Sequence, residues 1–393
     1  MSERTVAITG IGVVAPCGIG VEAYWNGLLT KPADGRTRPV PDWDPSPWFD
    51  NPKDARRADP FTQFALAAAA MALDQAGDLN ADPARVGVMV GTGVGGIGTN
   101  EAQIVVQHER GDRRVSPFLV PMMMPNAAAA SVSMRHGFAG PCEATATACA
   151  AGTHSIGNAA RLVSSGRCDV VIAGGSEAPL TPTSLAGFGN MTALTRSGIS
   201  MPFDARRDGF VIAEGAGILV LEELERATAR GATILGLLLG SASTADAHHI
   251  TAPAPGGAGA VRCMELAIDD AGLSADEIVH VNAHGTSTAL NDAAEAEALA
   301  KVFGTSSGPI VTSTKGVTGH ALGAAGALEA VAVVLAMQHR LIPPTFGLEQ
   351  IDPELPAIDL VMGEPRPWEP GPSISNSFGF GGHNGTIVIA PAP

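Results

Sequence analysis

The chain is built from short, continuously apolar runs that end in glycine, separated by longer stretches crowded with alanine and glycine. Val6 to Val14 is apolar nearly throughout and is interrupted by Gly10 and Gly12, the pattern of a buried central strand close to a site. Arg85 to Gly91, Asp169 to Ala173 and Ile278 to Ala283 have the same character, the second ending in Gly174-Gly175 and the third at His284. Between them lie helical segments: an alanine-rich stretch over 61–77 stopped by Gly77, a stretch over 149–165 closed by Gly166, and one from about Leu322 to Met337. Helices with so many small residues and so few charges are buried on nearly every side. Residues 31–60, rich in Pro and Asp and carrying Trp43, Trp48 and Phe49, read as an irregular surface excursion.

Both halves of the chain place a small-residue helix behind a strand, which suggests an internal duplication too faint in sequence to establish. Composition narrows the class. Hydrophobic residues make up 45% and charged residues 16% of the 393, with 48 glycines, the profile of a large, tightly packed α/β core. The net charge of −15 argues against a general nucleic-acid binder, although a local basic patch can persist on an acidic protein. Five cysteines, none in a CxxC pair, suggest neither a disulfide framework nor a zinc site and point to a reducing, cytoplasmic setting. The first residues enter a strand pattern at once, so no secretory signal is expected, and apolar stretches such as 331–337 are too short to span a bilayer.

The glycine-dense run from Gly91 to Gly98 invites a nucleotide-binding reading. It lacks the acidic residue about 20 positions on that a dinucleotide site needs. It also lacks the Lys-Ser/Thr of a P-loop. Close backbone approach is the better explanation.

Reactive side chains gather at three places. Cys149 sits where a helix begins, and the unpaired N–H groups there favour thiolate over thiol. His284 ends a strand and is followed by Gly285 and the hydroxyl residues Thr286, Ser287 and Thr288. Lys315 and His320 stand on a glycine-rich turn ahead of the second small-residue helix, which carries Glu329. Two imidazoles with an ammonium and a thiol make a poor metal site, because the ammonium repels a cation, so no metal is expected. They suit the stabilisation of negative charge on oxygen. The tail from Asn376 to Asn384 sets Phe380 among glycines, where a backbone N–H can point at a ligand and the ring can act as a lid.

Thr145-Ala-Thr-Ala-Cys149, Asn282-Ala-His284-Gly-Thr-Ser-Thr288, Ser313-Thr-Lys315 with Gly319-His320, Gly323 to Glu329, and Asn376 to Gly382 together resemble the motif set of β-ketoacyl-acyl-carrier-protein synthases. The branch resembled is that of the type-II elongating ketosynthases of fatty-acid and polyketide systems. The likeness spans nearly the whole chain, including Phe203 to Phe210 and Asp246-Ala-His248. It implies an α/β thiolase fold of two duplicated halves, 1–240 with the nucleophile and 241–393 with the two histidines, layered α-β-α-β-α and dimeric. It also implies roles. Cys149 would accept an acyl chain from an acyl carrier protein, and the N–H groups of Cys149 and Phe380 would form an oxyanion hole. His284 and His320 would hold the malonyl thioester and promote loss of its carboxylate. Lys315 would orient His320 and pair with Glu329. Thr251, Thr286 and Thr288 match positions touching the phosphopantetheine arm, which the carrier supplies, so no cofactor is expected. Val94, Leu119 and Met122 to Met124 match segments lining the acyl pocket or its dimer boundary. Arg56, Arg57, Arg113, Arg114 and Arg196 match the surface that docks the acidic carrier.

Alternatives stay in view. A thiolase needs a second catalytic cysteine in its C-terminal glycine loop, and residues 379–382 hold none. A non-catalytic chain-length partner would lack the nucleophile, and an initiating synthase would pair Cys and His with Asn. The chain could act as a homodimer or as the catalytic half of a heterodimer with a chain-length subunit. Departures from the family pattern (Ala150-Ala151, Ala289, Gly316, and a short 195–202 stretch) bear on substrate, as does Val94, smaller than the Ile expected of a fatty-acid enzyme. These features suggest a specialised polyketide or polyene chain.

Overall fold

The computed structural model describes residues 4–306 and 308–393. Its first half contributes the strands β1 (Val6–Ala15), β2 (Val86–Gly91), β3 (Cys142–Glu143), β4 (Val170–Glu177) and β5 (Gly215–Glu223). The second contributes β6 (Gly236–Ala245), β7 (His280–Asn282), β8 (Ile310–Thr312), β9 (Asp359–Leu360), β10 (Ser373–Gly379) and β11 (His383–Ala390). Sideways from the junction the first half runs β1-β5-β4-β2-β3 and the second β6-β11-β10-β7-β8-β9. The two orders correspond, as do the strand directions. β4 and β10 each pair antiparallel on one side and parallel on the other. The duplication that is faint in sequence is plain in topology. The first strands of the halves meet at the junction, antiparallel, with Val6 opposite Leu238 and Ile8 opposite Gly236.

Five helices build the layers: α1 (Pro60–Ala76), α2 (Ala151–Ser164), α3 (Ala258–Asp270), α4 (Ala289–Phe303) and α5 (Ala325–His339). α1 covers β1, β5 and β4 from outside, and α3 covers β6 and β11. α2 and α5 lie between the half-sheets and touch strands of both. The result is the α-β-α-β-α thiolase arrangement. Boundaries follow local chemistry: Asp59 caps α1 and Gly77, at φ 72°, ends it. The main shift from the sequence reading is β4, which runs on through Gly174-Gly175 to Glu177 instead of stopping at Ala173. The excursion over 31–60 holds only short pieces of regular structure.

Burial explains the small residues of the middle layer. The apolar segment at α5 is longer than 331–337. Leu322–His339 spans 18 residues, long and apolar enough to cross a membrane, yet 89% of it is buried inside the protein. It is a core helix pressed to the sheet so closely that side chains would collide. A Cβ on Gly217 would lie 2.6 Å from the Ala327 carbonyl carbon. Gly217→Ala is therefore expected to lower unfolding free energy by about 1–3 kcal/mol through overpacking. Urea unfolding checks this; an unchanged midpoint would contradict the contact.

Candidate active site

Cys149 sits on a 3₁₀ turn, Ala148–Ala150, that leads into α2. Ala148 adopts φ 49°, a sharp turn that directs Cys149 into the interior. β10 presses on this turn: a Cβ on Gly379 would lie 3.0 Å from the Cys149 nitrogen and 3.1 Å from the Thr147 oxygen. Glycine at 379 lets the hairpin carrying Phe380 reach the nucleophile. The Phe380 N–H there lies close enough to the Cys149 sulfur to favour its ionised form.

The imidazoles arrive from the other half. His284 lies just beyond β7, and its N–H and that of Gly285 each donate to one oxygen of buried Glu295, both at 2.7 Å. His320 is clamped through its backbone: its N–H donates to the Val211 carbonyl at 2.7 Å and its carbonyl accepts from Ala213 N–H at 3.0 Å. The two rings stand nearly perpendicular with centroids 5.3 Å apart, and Phe210 packs edge-on to His320. The Cys149 sulfur and one ring nitrogen of each histidine all lie within 4.8 Å of one another. They flank one small volume.

Lys315 is fully buried, ion-pairs with Glu329, and lies with its Nζ 3.3 Å from His284 Nδ1. This corrects the sequence expectation that it orients His320, because the short helix Lys315–Thr318 directs its ammonium toward His284. An ammonium donating to Nδ1 leaves the His284 proton on Nε2, making that nitrogen a donor. The three-ligand spacing would suit a metal ion, but the adjacent ammonium opposes a cation and favours an anion.

Burial dominates the electrostatics. It pushes the Cys149 thiol up to about 11, although Lys315 and the Phe380 N–H pull it down. Desolvation of the buried 3₁₀ turn is the largest influence on this thiol and works against the thiolate expected at a helix start. Burial, then the Lys315 charge, hold both imidazoles well below their ordinary range, with a further push on His284 from His320. Burial raises Glu329 and Glu295 to about 7, opposed by Lys315 at the first and by the two N–H donors at the second.

A cavity of about 410 Å³ opens onto these groups. Cys149, His284, His320, Phe380, Thr251, Thr286 and Thr288 line it. Thr286 and Thr288 bond each other at 2.9 Å, and Thr288 also caps α4. Lys315 and Glu329 stand behind the imidazoles. Val94 and Leu119 do not line the cavity. Val94 is 41% exposed on the loop after β2 and Leu119 opens a surface turn, Leu119–Met123, so of the two places expected for them, the acyl pocket or its dimer boundary, the single chain puts them at its surface. Arg56, Arg57, Arg113, Arg114 and Arg196 are all exposed, and the Arg57 guanidinium lies 4.5 Å over the Phe118 ring.

With this geometry in place, residues 30–227 match the family model described as beta-ketoacyl synthase, N-terminal domain, and residues 235–349 the beta-ketoacyl synthase, C-terminal domain. The chain belongs to the beta-ketoacyl synthase family. It is 43% identical to a 3-oxoacyl-[acyl-carrier-protein] synthase 2 of Synechocystis sp., covering 99% of this chain and 98% of that protein. It is 42% identical to the protein of the same name from Staphylococcus aureus, over 98% of each. Among solved structures, the ishigamide ketosynthase/chain length factor superposes with TM-score 0.93 at 33% identity, over 100% of each chain. A beta-ketoacyl synthase from Burkholderia phymatum superposes at 0.90 and 33%, over 99% of this chain and 100% of that one.

Several supporting residues of this ketosynthase escape sequence reading. Glu295 anchors the His284 loop from one turn of α4. Glu177 accepts from Thr92, Val94 and Gly323, which ties the glycine run to the turn ahead of α5. The run itself packs backbone on backbone, since a Cβ on Gly91 would lie 2.3 Å from the Ala151 oxygen. Gly316, a departure from the family pattern, is required here because a Cβ would meet the Phe346 oxygen at 2.2 Å. Acidic residues on an otherwise apolar helix were the one available signal for Glu295.

A thiol raised to about 11 makes alkylation of the resting ketosynthase pH-dependent over a wide range. Iodoacetamide labelling of the Cys149 peptide should climb about tenfold per pH unit through pH 9, because thiolate fraction grows with pH below the pKa. A plateau below pH 8 would show that thiolate is the resting form.

Proposed function

We propose that this protein catalyses decarboxylative condensation of a Cys149-bound acyl chain with a malonyl unit on acyl carrier protein, extending the chain by a β-ketoacyl step. The observation that supports it is the meeting of the Cys149 sulfur and the two imidazoles within 4.8 Å on one cavity. In this reading residues 1–240 supply the nucleophile and residues 241–393 the two imidazoles.

First, the Cys149 sulfur attacks the acyl thioester carbonyl while its proton passes to a neutral imidazole. Burial keeps the His320 imidazole neutral and so able to accept it, whereas the Nδ1 of His284 already accepts from Lys315. The N–H groups of Cys149 and Phe380 receive the oxyanion, and the pantetheine thiol leaves with the proton. Malonyl thioester then enters. Its carbonyl oxygen accepts from His284 and His320, CO₂ departs, and the electron pair of the broken bond forms an enolate held by the same donors and the Lys315 charge. The enolate carbon attacks the acyl-Cys149 thioester and sulfur leaves as thiolate, which takes up one proton from solvent to restore the thiol. Lys315 positions His284, and Glu329 balances the ammonium. Thr251, Thr286 and Thr288 lie along the cavity, where they would guide the pantetheine arm. No metal or cofactor of its own enters the scheme.

A dimer fits the surface. Val94, Ile104, Val105, Phe118, Val120, Met124 and Met134 are exposed apolar side chains on adjoining segments. A patch of this kind marks an interface. Val94 and Leu119 then belong to the dimer boundary. A second chain of the same fold, identical or a chain-length subunit, would cover the patch, and the ketosynthase/chain length factor similarity supports the heterodimer. The five cysteines are all free, which fits a cytoplasmic enzyme. We also place the carrier-docking surface at Arg56, Arg57, Arg113, Arg114 and Arg196, exposed cations on a chain of net charge −15.

Intact-mass measurement with a panel of saturated and conjugated acyl-carrier thioesters tests the reaction. An acyl adduct on the parent and none on Cys149→Ala is the expected result; an adduct on both would remove the nucleophile assignment. The panel also reports whether a polyene chain is preferred. Reversing charge at Arg113 and Arg114 should raise KM for the acylated carrier severalfold and leave kcat on short thioester mimics nearly unchanged. An unaltered KM would remove the docking surface.

A further inference from the structure

His154 lies on α2, five residues past the nucleophile, and the scheme above gives it no part. Its ring spans two elements that carry the oxyanion-hole donors. Nδ1 lies 2.8 Å from the Thr147 hydroxyl, two residues before Cys149, and Nε2 lies 3.0 Å from the Asn384 carbonyl, on β11 just after the Phe380 turn. A carbonyl only accepts, so Nε2 carries the proton and Nδ1 of the neutral ring accepts from Thr147. Both ends of the bridge are anchored. The Thr147 carbonyl accepts the Ala150 N–H at 3.1 Å, and the Asn384 side chain donates to Asp246 at 2.8 Å. Space is reserved for the ring: a Cβ on Gly385 would fall 2.9 Å from it. Opposite the bridge, Gly379 rests against Thr147 and Cys149 with no room for a side chain.

Gly381 and Gly382 adopt φ 86° and 72°, and the Phe380 turn is pinned on the side away from the nucleophile, where Gly381 N–H donates to the Ile250 carbonyl at 2.7 Å and the Gly382 carbonyl accepts from Asp246 N–H at 2.9 Å. The His154 bridge is a tie on the side toward the nucleophile turn. We propose that His154 is a positioning residue, a strut that fixes the spacing between the Cys149 and Phe380 N–H groups and so tunes the oxyanion hole. It touches no substrate and acts through Thr147 and Asn384. The inference rests on the condensation reading above.

Two half-reactions separate this role from a general one. Acyl transfer uses the oxyanion hole, whereas decarboxylation uses His284 and His320. Acyl-Cys149 formation, followed by intact mass, should slow about 10- to 100-fold in His154→Ala, less than the loss expected on deleting a donor outright. CO₂ release from malonyl thioester, measured in a Cys149→Ala background where acylation is impossible, should change less than about threefold on adding His154→Ala. Thr147→Val removes only the hydroxyl and should show the same split more weakly; it decides the matter if His154→Ala does not fold. Equal losses in both half-reactions, or no loss in either, would overturn the strut. Acylation of Cys149→Ala itself would instead overturn the reading beneath it, so the two failures are distinguishable.

Discussion

Three glycines bring the halves of this protein together. The Gly323 oxygen lies 2.5 Å from where a Cβ of Gly175 would sit and 2.9 Å from that of Gly152. Gly152 follows Cys149 by three residues, and Gly323 follows His320 by three. The contact that lets backbone meet backbone across the pseudo-symmetric interface is thus also what holds the thiol and one imidazole face to face. A side chain at Gly152 or Gly175 would collide with the Gly323 carbonyl and push the two turns apart. The alanine and glycine richness of α2 and α5 follows from the same demand, because both helices lie between half-sheets and touch strands of each.

Close packing of this kind excludes water, and exclusion of water sets the charge state of the site. Thiol and imidazoles are driven toward their neutral forms, and the Lys315 side chain is paired with Glu329. Such a site has little to offer a cation. It offers much to an oxyanion, which meets N–H donors already oriented and an ammonium one imidazole away, with no solvent to reorganise. Burial favours the neutral thiol, so in the proposed reaction its ionisation goes with arrival of the substrate and proton transfer onto an imidazole.

How much of this was legible in the sequence depended on the range of the interaction. The strands, the two small-residue helices and the reactive residues could be read because each is written in a local pattern: an apolar run, an alanine-rich stretch, a histidine flanked by glycine. Residues whose role depends on distant partners could not. The family resemblance implied that Lys315 orients His320, whereas the short helix it starts aims it at His284 across the fold. Glu295 and Glu177 act on backbone N–H groups remote in sequence, and no spacing marks them. The burial of the thiol was hidden for a related reason: a helix start is a local feature, but desolvation is set by everything packed around it.

The placement of Val94 and Leu119 carries a consequence for substrate choice. Both were expected at the acyl pocket or its dimer boundary; in the single chain neither lines the cavity, and Val94 is exposed together with other apolar side chains. If the apolar face is covered by a second chain as proposed, that chain would supply the wall for any acyl chain longer than the cavity of about 410 Å³. The nucleophile, imidazoles and oxyanion donors are complete within one chain, so chemistry and length control reside on different surfaces. That division lets the covering chain change while the reacting atoms stay where the three-glycine contact puts them.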